Sequence, residues 1–340
     1  MWRQRQIASP GGRIYPMSES DTILCGASAV LPCAVCGIRG VQQVSNEGVD
    51  AMSQVPTVRW TVTSAASLVV ARRVRHGGFV LSPQCFDHQS FGLSPAEVHS
   101  MDPQQRLMLE EGYAALHAGG LRRAALMSSS TGVFAAVYAS DFAQLLATSP
   151  AGWSVFAATG CAHSIASGRI SFALGMQGPC LTYDSACSSA LVASHGALRA
   201  MQRNECAASV VPGANLMLTP ARAPILALAG MTSALGRCHT FDRRADGYAR
   251  AESCCAICLR HSHLPGAGAQ DVVDNMLHVR GSAVRQDGKS ASLTAPNGRA
   301  QHDLLEVALS DAALASDDLA TLEAHGTGTA LGDPVEVGAF

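Results

Sequence analysis

The segment Cys180-Leu-Thr-Tyr-Asp-Ser-Ala leads, across three residues, into Ala190 to Met201, where Ala190, Leu191, Ala197, Leu198 and Met201 recur at helical spacing. A strand turning at once into a helix is the repeating unit of layered α/β architecture. Ser194 is the one polar member of the stripe, and the small residues around it predict a helix squeezed between layers. Thr131-Gly-Val-Phe-Ala-Ala-Val reads as a second buried strand, continuous rather than alternating. The composition agrees: 48% of the 340 residues are hydrophobic and only 15% are charged. That balance excludes intrinsic disorder for most of the chain, and the length corresponds to about two domain-sized units. Low charge together with 32 glycines predicts heavy burial, including a further surface such as a dimer interface.

The net charge of −2 offers no basic footprint for nucleic acid. The longest uncharged stretch, Phe142 to Gly168, is broken by Pro150, Gly152 and Gly160, so no bilayer span is expected. The 12 cysteines are spread along the chain, unlike a small disulfide scaffold. The start, Met1-Trp-Arg-Gln-Arg-Gln, has no apolar secretory core. Free thiols in a reducing cytoplasm are expected, with an organellar leader in the first twenty residues as the alternative. Cys33-Ala-Val-Cys36 and Cys255-Ala-Ile-Cys258 have a spacing used by zinc sites. The second lies in a predicted strand, where its two thiols face opposite ways, and no metal is expected.

Along the chain, residues 1–20 read as an irregular lead-in, Ile23-Leu-Cys-Gly as a first strand, and 39–58 as polar and irregular. Asp102 is a good N-cap, and Pro103 fits the first turn of a helix that Gly119-Gly120 stops. Ala207 to Val211 and Ser253 to Leu259 are further strands. A polar patch, His261 to Asp271, forms an internal boundary, giving an N-terminal half over 21–262 and a C-terminal half over 263–340. The second half reads as strand Met276 to Gly281, helix Ala300 to Ala315 and strand Leu319 to Ala324.

Two positions carry chemistry. Cys187 sits where strand becomes helix, and a helix N-terminus favours the thiolate, the nucleophilic form. Ser185, Ala186, Ser188 and Ser189 leave room for a bulky thioester. His325 opens the loop His325-Gly-Thr-Gly-Thr-Ala-Leu-Gly-Asp-Pro, whose glycines permit tight backbone and close ligand approach. An imidazole beside a thiol can hydrogen-bond a substrate carbonyl or shuttle a proton near neutral pH. Thr327 and Thr329 add hydroxyls to the same loop. Asp333 and Glu336 are read as loop caps and surface charge.

These motifs resemble the β-ketoacyl synthase family, specifically the ketosynthase domain of modular polyketide synthases. The resemblance runs in family order through Met101-Asp-Pro-Gln-Gln-Arg106, Gly160 to Pro179, Asn215-Leu-Met-Leu, Gly236-Arg-Cys-His-Thr-Phe-Asp242, Ala245 to Arg250, Gln286-Asp-Gly and Leu293-Thr-Ala-Pro-Asn-Gly298. It implies the thiolase-like α/β fold: two related halves in an αβαβα arrangement of five layers, normally dimeric. It implies that Cys187 accepts an acyl group from an acyl carrier protein. A carrier-bound malonyl unit then loses carbon dioxide and condenses with it in a decarboxylative Claisen reaction of polyketide or fatty acid synthesis. His325 matches the first of two catalytic histidines. Thr327 and Thr329 match hydroxyls that contact the carrier's phosphopantetheine arm; the family needs no cofactor of its own.

Three departures from the family pattern stand out. The family's Lys and second His follow downstream of His325, so the C-terminal half is expected to be incomplete. Ala251-Glu-Ser-Cys-Cys255 stands where the family has a glycine-rich stretch, and Arg285 replaces an Asn. The rival readings are a non-decarboxylating thiolase relative, a Cys–His hydrolase, and a non-catalytic fragment that binds carriers or dimerises.

Overall fold

A computed structural model describes residues 22–62, 67–262 and 277–340. Nine strands are present among them: β1 (Thr22–Leu31), β2 (Val35–Cys36), β3 (Ser53–Gln54), β4 (His76–Gly77), β5 (Gly132–Val137), β6 (Cys180–Tyr183), β7 (Ala208–Asn215), β8 (Ser253–His261) and β9 (Leu277–His278). Seven form one mixed sheet in the order β2-β1-β8-β7-β5-β6, with β9 beside β1, and β3 pairs with β4. β5 runs parallel to both β6 and β7, whereas β8 is antiparallel to β7 and β1.

The uninterrupted apolar run of β5 serves two cores. Val133, Ala135 and Val137 face one cluster with Met108, Leu116 and Ile170, while Phe134 and Ala136 face another with Ala193, Ala197 and Met201. Strand alternation thus places helices Pro103–Ala118 and His163–Leu174 on one face and helix Ser189–Gln202 on the other.

Helix Pro103–Ala118 begins as its sequence predicts, with the Asp102 carboxylate accepting the Gln104 N–H at 2.8 Å. Its far end presses on β1. A Cβ added at Gly26 would lie 2.2 Å from the Ala115 carbonyl oxygen, so only glycine allows this approach. The substituted stretch at Ser253–Cys255 is accommodated inside β8, where Cys255 pairs with Gly213 and Ala29.

Several expectations are corrected. Residues Gly37–Glu47, which overlap the start of the 39–58 stretch read as irregular, form a helix packed on β1 and β2. It buries no residue fully. The strand expected to be buried over Cys180–Ala186 is only Cys180–Tyr183, and it is half exposed because it ends the sheet with β5 as its single neighbour. In helix Ser189–Gln202 the buried residues are Ser189, Ala193, Ala197, Leu198, Ala200 and Met201, while Ala190, beside Gly213 of β7, and Leu191 are exposed. The helix lies on β5 and β7. Leu319–Ala324 forms no strand and has no ladder partner among the described residues, and in the described part of the predicted 276–281 strand only Leu277–His278 is strand, paired with β1. Helix Gly298–Ala312 stops short of Ala315, where Ala313 turns left-handed at φ +54°. The lead-in 1–20 and positions 263–271 of the boundary lie outside the described residues.

Candidate active site

Cys187 lies in a single helical turn, Ala186–Ser188, between β6 and helix Ser189–Gln202. The turn is tight: Ala186 has φ +56°, a conformation alanine adopts only when its surroundings enforce it. Those surroundings are hydrogen bonds. The Ser189 hydroxyl donates to the Ala186 carbonyl at 2.7 Å and accepts the Ser185 N–H at 2.8 Å, and the Asp184 carboxylate accepts the Ala186 N–H at 3.1 Å. The small serines thus hold the bend as well as leaving room, and the sulfur stands exposed beyond the carboxyl end of the parallel strands.

His325 reaches this point from the far end of the sequence, and its ring comes within interaction distance of the Cys187 thiol. The interaction with His325 holds the Cys187 thiol below its ordinary value, against the opposing effect of burial. The same interaction raises the His325 imidazole above its ordinary value, and the Glu336 and Asp333 carboxylates add to it. The pair therefore favours thiolate and imidazolium together, which is an activated nucleophile beside a proton donor.

The loop holding His325 is pinned by groups whose weight the sequence does not show. Asp333, read as loop cap and surface charge, is buried. Its carboxylate accepts the N–H groups of Gly328 at 3.0 Å, Thr329 at 3.3 Å and Phe241 at 2.7 Å, tying the loop to the 236–249 segment. Glu336 accepts the N–H groups of His325 at 2.5 Å and Gly326 at 2.8 Å. The Thr240 hydroxyl donates to the Gly326 carbonyl at 2.5 Å, and the Gly247 N–H donates to that of Gly328 at 3.0 Å. The fit demands glycine: at Gly328, where φ is +73°, a Cβ would stand 2.8 Å from the His239 nitrogen. The only signal in the sequence is the spacing of Asp333 and Glu336, which puts both on one side of helix Gly332–Val337.

Thr327 and Thr329 are half-buried, with hydroxyls 3.2 Å apart. Thr329 also accepts the Gly332 N–H at 3.0 Å, so part of its capacity is spent inside the loop. Tyr248 lies within electrostatic reach of Cys187, and burial raises its phenol. Among the described residues no group of three or more His, Cys, Asp or Glu is placed to hold a metal, and no helix is long and apolar enough to cross a membrane. In Cys33-Ala-Val-Cys36 both thiols are exposed and free.

Residues 22–263 match the family model for the β-ketoacyl synthase N-terminal domain, and 276–340 match that for the C-terminal domain. Polyketide synthase GfsB of Streptomyces halstedii is 37% identical over 338 residues, which is 98% of this chain and 6% of that protein. A phenolphthiocerol/phthiocerol polyketide synthase protein of Mycobacterium tuberculosis is 40% identical over 339 residues, 98% of this chain and 22% of that protein. Among solved structures, the ketosynthase from module 6 of the bacillaene synthase of Bacillus subtilis superposes with TM-score 0.83 at 30% identity, covering 94% of this chain and 53% of that one. An oxazolomycin ketosynthase domain from Streptomyces albus gives 0.82 at 32% identity, with 94% and 56% coverage. The chain thus spans a small part of those curated relatives and about half of those solved chains. Its fold is the α/β, thiolase-like fold of these ketosynthases.

Proposed function

Since the chain belongs to the β-ketoacyl synthase family, we propose that it carries the acyl-accepting centre of a polyketide ketosynthase, with Cys187 as nucleophile and His325 as its partner. The observation that carries the reading is the meeting of these two side chains at the open end of the sheet, brought together by segments far apart in sequence. In this reading the Cys187 thiolate attacks the carbonyl carbon of an acyl thioester delivered by an acyl carrier protein. The carbonyl electrons move to oxygen and return to expel the carrier's thiolate, leaving the acyl group on sulfur. A malonyl-type thioester then releases carbon dioxide. The resulting carbanion attacks the acyl-Cys187 carbonyl, and Cys187 leaves as thiolate.

His325 donates a hydrogen bond to the malonyl thioester oxygen as enolate charge develops there. The Cys187 N–H, at the opening of a helix, serves the acyl oxyanion. Thr327 contacts the phosphopantetheine arm, and Thr329 does so with the hydroxyl capacity its bond to Gly332 leaves. The division into halves at 262/263, work in the cytoplasm and pairing of two copies along the β6 edge belong to the same proposal. The thiol–imidazole contact disfavours a fragment that only binds carriers, which needs no such pair.

The test is incubation of the chain with an acyl-carrier thioester, followed by peptide mapping by mass spectrometry. An acyl adduct at Cys187, absent in Cys187→Ala, is expected, with little β-ketoacyl product on addition of malonyl-carrier, because only His325 of the two family histidines is present. Acylation at other cysteines with Cys187 free, or release of free acid in place of a stable adduct, overturns the reading.

A further inference from the structure

Two thiols outside the Cys187 site face each other across the sheet. The β1–β8 ladder is regular except at one step, where Leu24 pairs with Leu259 and Gly26 with Cys258, leaving Cys25 as the extra residue between them. A bulge of this kind re-aims a side chain. Here it brings the Cys25 sulfur to 3.4 Å from the Cys258 sulfur, and to 3.4 Å from the Cys258 carbonyl oxygen. Room for two sulfurs comes from Gly119, at the end of helix Pro103–Ala118. A Cβ there would lie 2.8 Å from the Cys25 sulfur and 3.1 Å from that of Cys258. The two thiols differ in access: Cys258 is fully buried, while Cys25 is half-buried.

We propose that Cys25 and Cys258 form an oxidisable dithiol site, in which a peroxide acts on Cys25 and Cys258 resolves the product into a disulfide joining β1 to β8. In the first step the Cys25 sulfur attacks a peroxide oxygen. The O–O bond breaks, Cys25 becomes a sulfenic acid, and with hydrogen peroxide the other oxygen leaves as water after taking a proton. In the second step the Cys258 sulfur attacks the Cys25 sulfur, the S–O bond breaks, and the hydroxyl leaves with the Cys258 proton as a second water. Two thiols are oxidised by two electrons and one peroxide is reduced by two. The order of attack follows from access, and the charges agree with it. Contact with Cys258 holds the Cys25 thiol below its ordinary value, whereas contact with Cys25 and deep burial keep that of Cys258 well above. The sulfurs then close to a bond of about 2.05 Å, a small side-chain movement between strands already paired.

The experiment uses the full chain and hydrogen peroxide. After treatment, free thiols are alkylated with iodoacetamide in guanidine, and the chain is digested without reduction and mapped by mass spectrometry. The expected result is one linked peptide pair containing Cys25 and Cys258, lost on treatment with dithiothreitol, and a higher melting temperature in the oxidised chain, because the link closes a long loop of the unfolded state. Cys25→Ser, at the more accessible position, is expected to abolish both the linked pair and the rise in melting temperature, with Cys258 recovered in alkylated form. Recovery of Cys25 as sulfinic or sulfonic acid beside alkylated Cys258 overturns the proposal. So does an unmodified Cys25, or a linked pair that forms only when peroxide is added in guanidine. The fate of Cys187 in the same digest bears on the acyl-transfer reading alone.

Discussion

The interaction between Cys187 and His325 moves two titrations in opposite directions. The thiol, lowered in the folded chain, contributes stability at pH above its unfolded value and loses it as pH falls through the folded one. The imidazole, raised, contributes stability below its unfolded value and loses it as pH rises through the folded one. Both groups are partly open to solvent, so the effect shows in reactivity more than in folding. Iodoacetamide is therefore expected to alkylate Cys187 with a pH midpoint below the ordinary thiol value. His325→Ala should move that midpoint upward and slow acylation of Cys187 by an acyl thioester. Peptide-resolved alkylation rates across pH check the first part. An unchanged midpoint in the variant would mean that the imidazole does not activate the thiol.

The element that delivers His325 is a loop without regular structure, held by two carboxylates on the short helix after it. Asp333 matters more, because it is buried and satisfies three backbone N–H groups on two segments. Asp333→Ala leaves those donors unpaired. A loss of about 2 kcal/mol is expected from such orphaned buried groups, read as a lower urea midpoint. Cys187 in this variant should also alkylate more slowly at neutral pH, because the loop no longer presents His325. Wild-type alkylation together with reduced stability would place Asp333 in folding only.

At the scale of the molecule, the sheet ends in β6 with its outer edge unpaired among the described residues. Leu181 on that strand is 43% exposed, and on the helices packed to either side Phe172 is 84% and Leu191 77% exposed. An apolar edge of this kind pairs or aggregates unless it is covered. Phe172→Glu is expected to shift the chain toward monomer in sedimentation velocity with its circular dichroism unchanged; a wild-type chain that is monomeric at high concentration would exclude pairing along β6. This edge also separates what is legible in the residues from what is not. The alternation that lets β5 serve two cores, the Asp102 cap and the Cys187 and His325 motifs depend on residue type and short spacing, and all can be read directly. Chain order carries no information on which strand ends a sheet, so β6 reads as a buried strand and Leu191 as a buried residue. Asp333 reads as surface charge because its burial is imposed by the 236–249 segment, far away in sequence. The contact between Cys25 and Cys258 depends on one extra residue in a ladder between strands more than two hundred residues apart. Register of that kind is settled only when the strands pair, since the free energy that selects it comes from side chains meeting across the sheet.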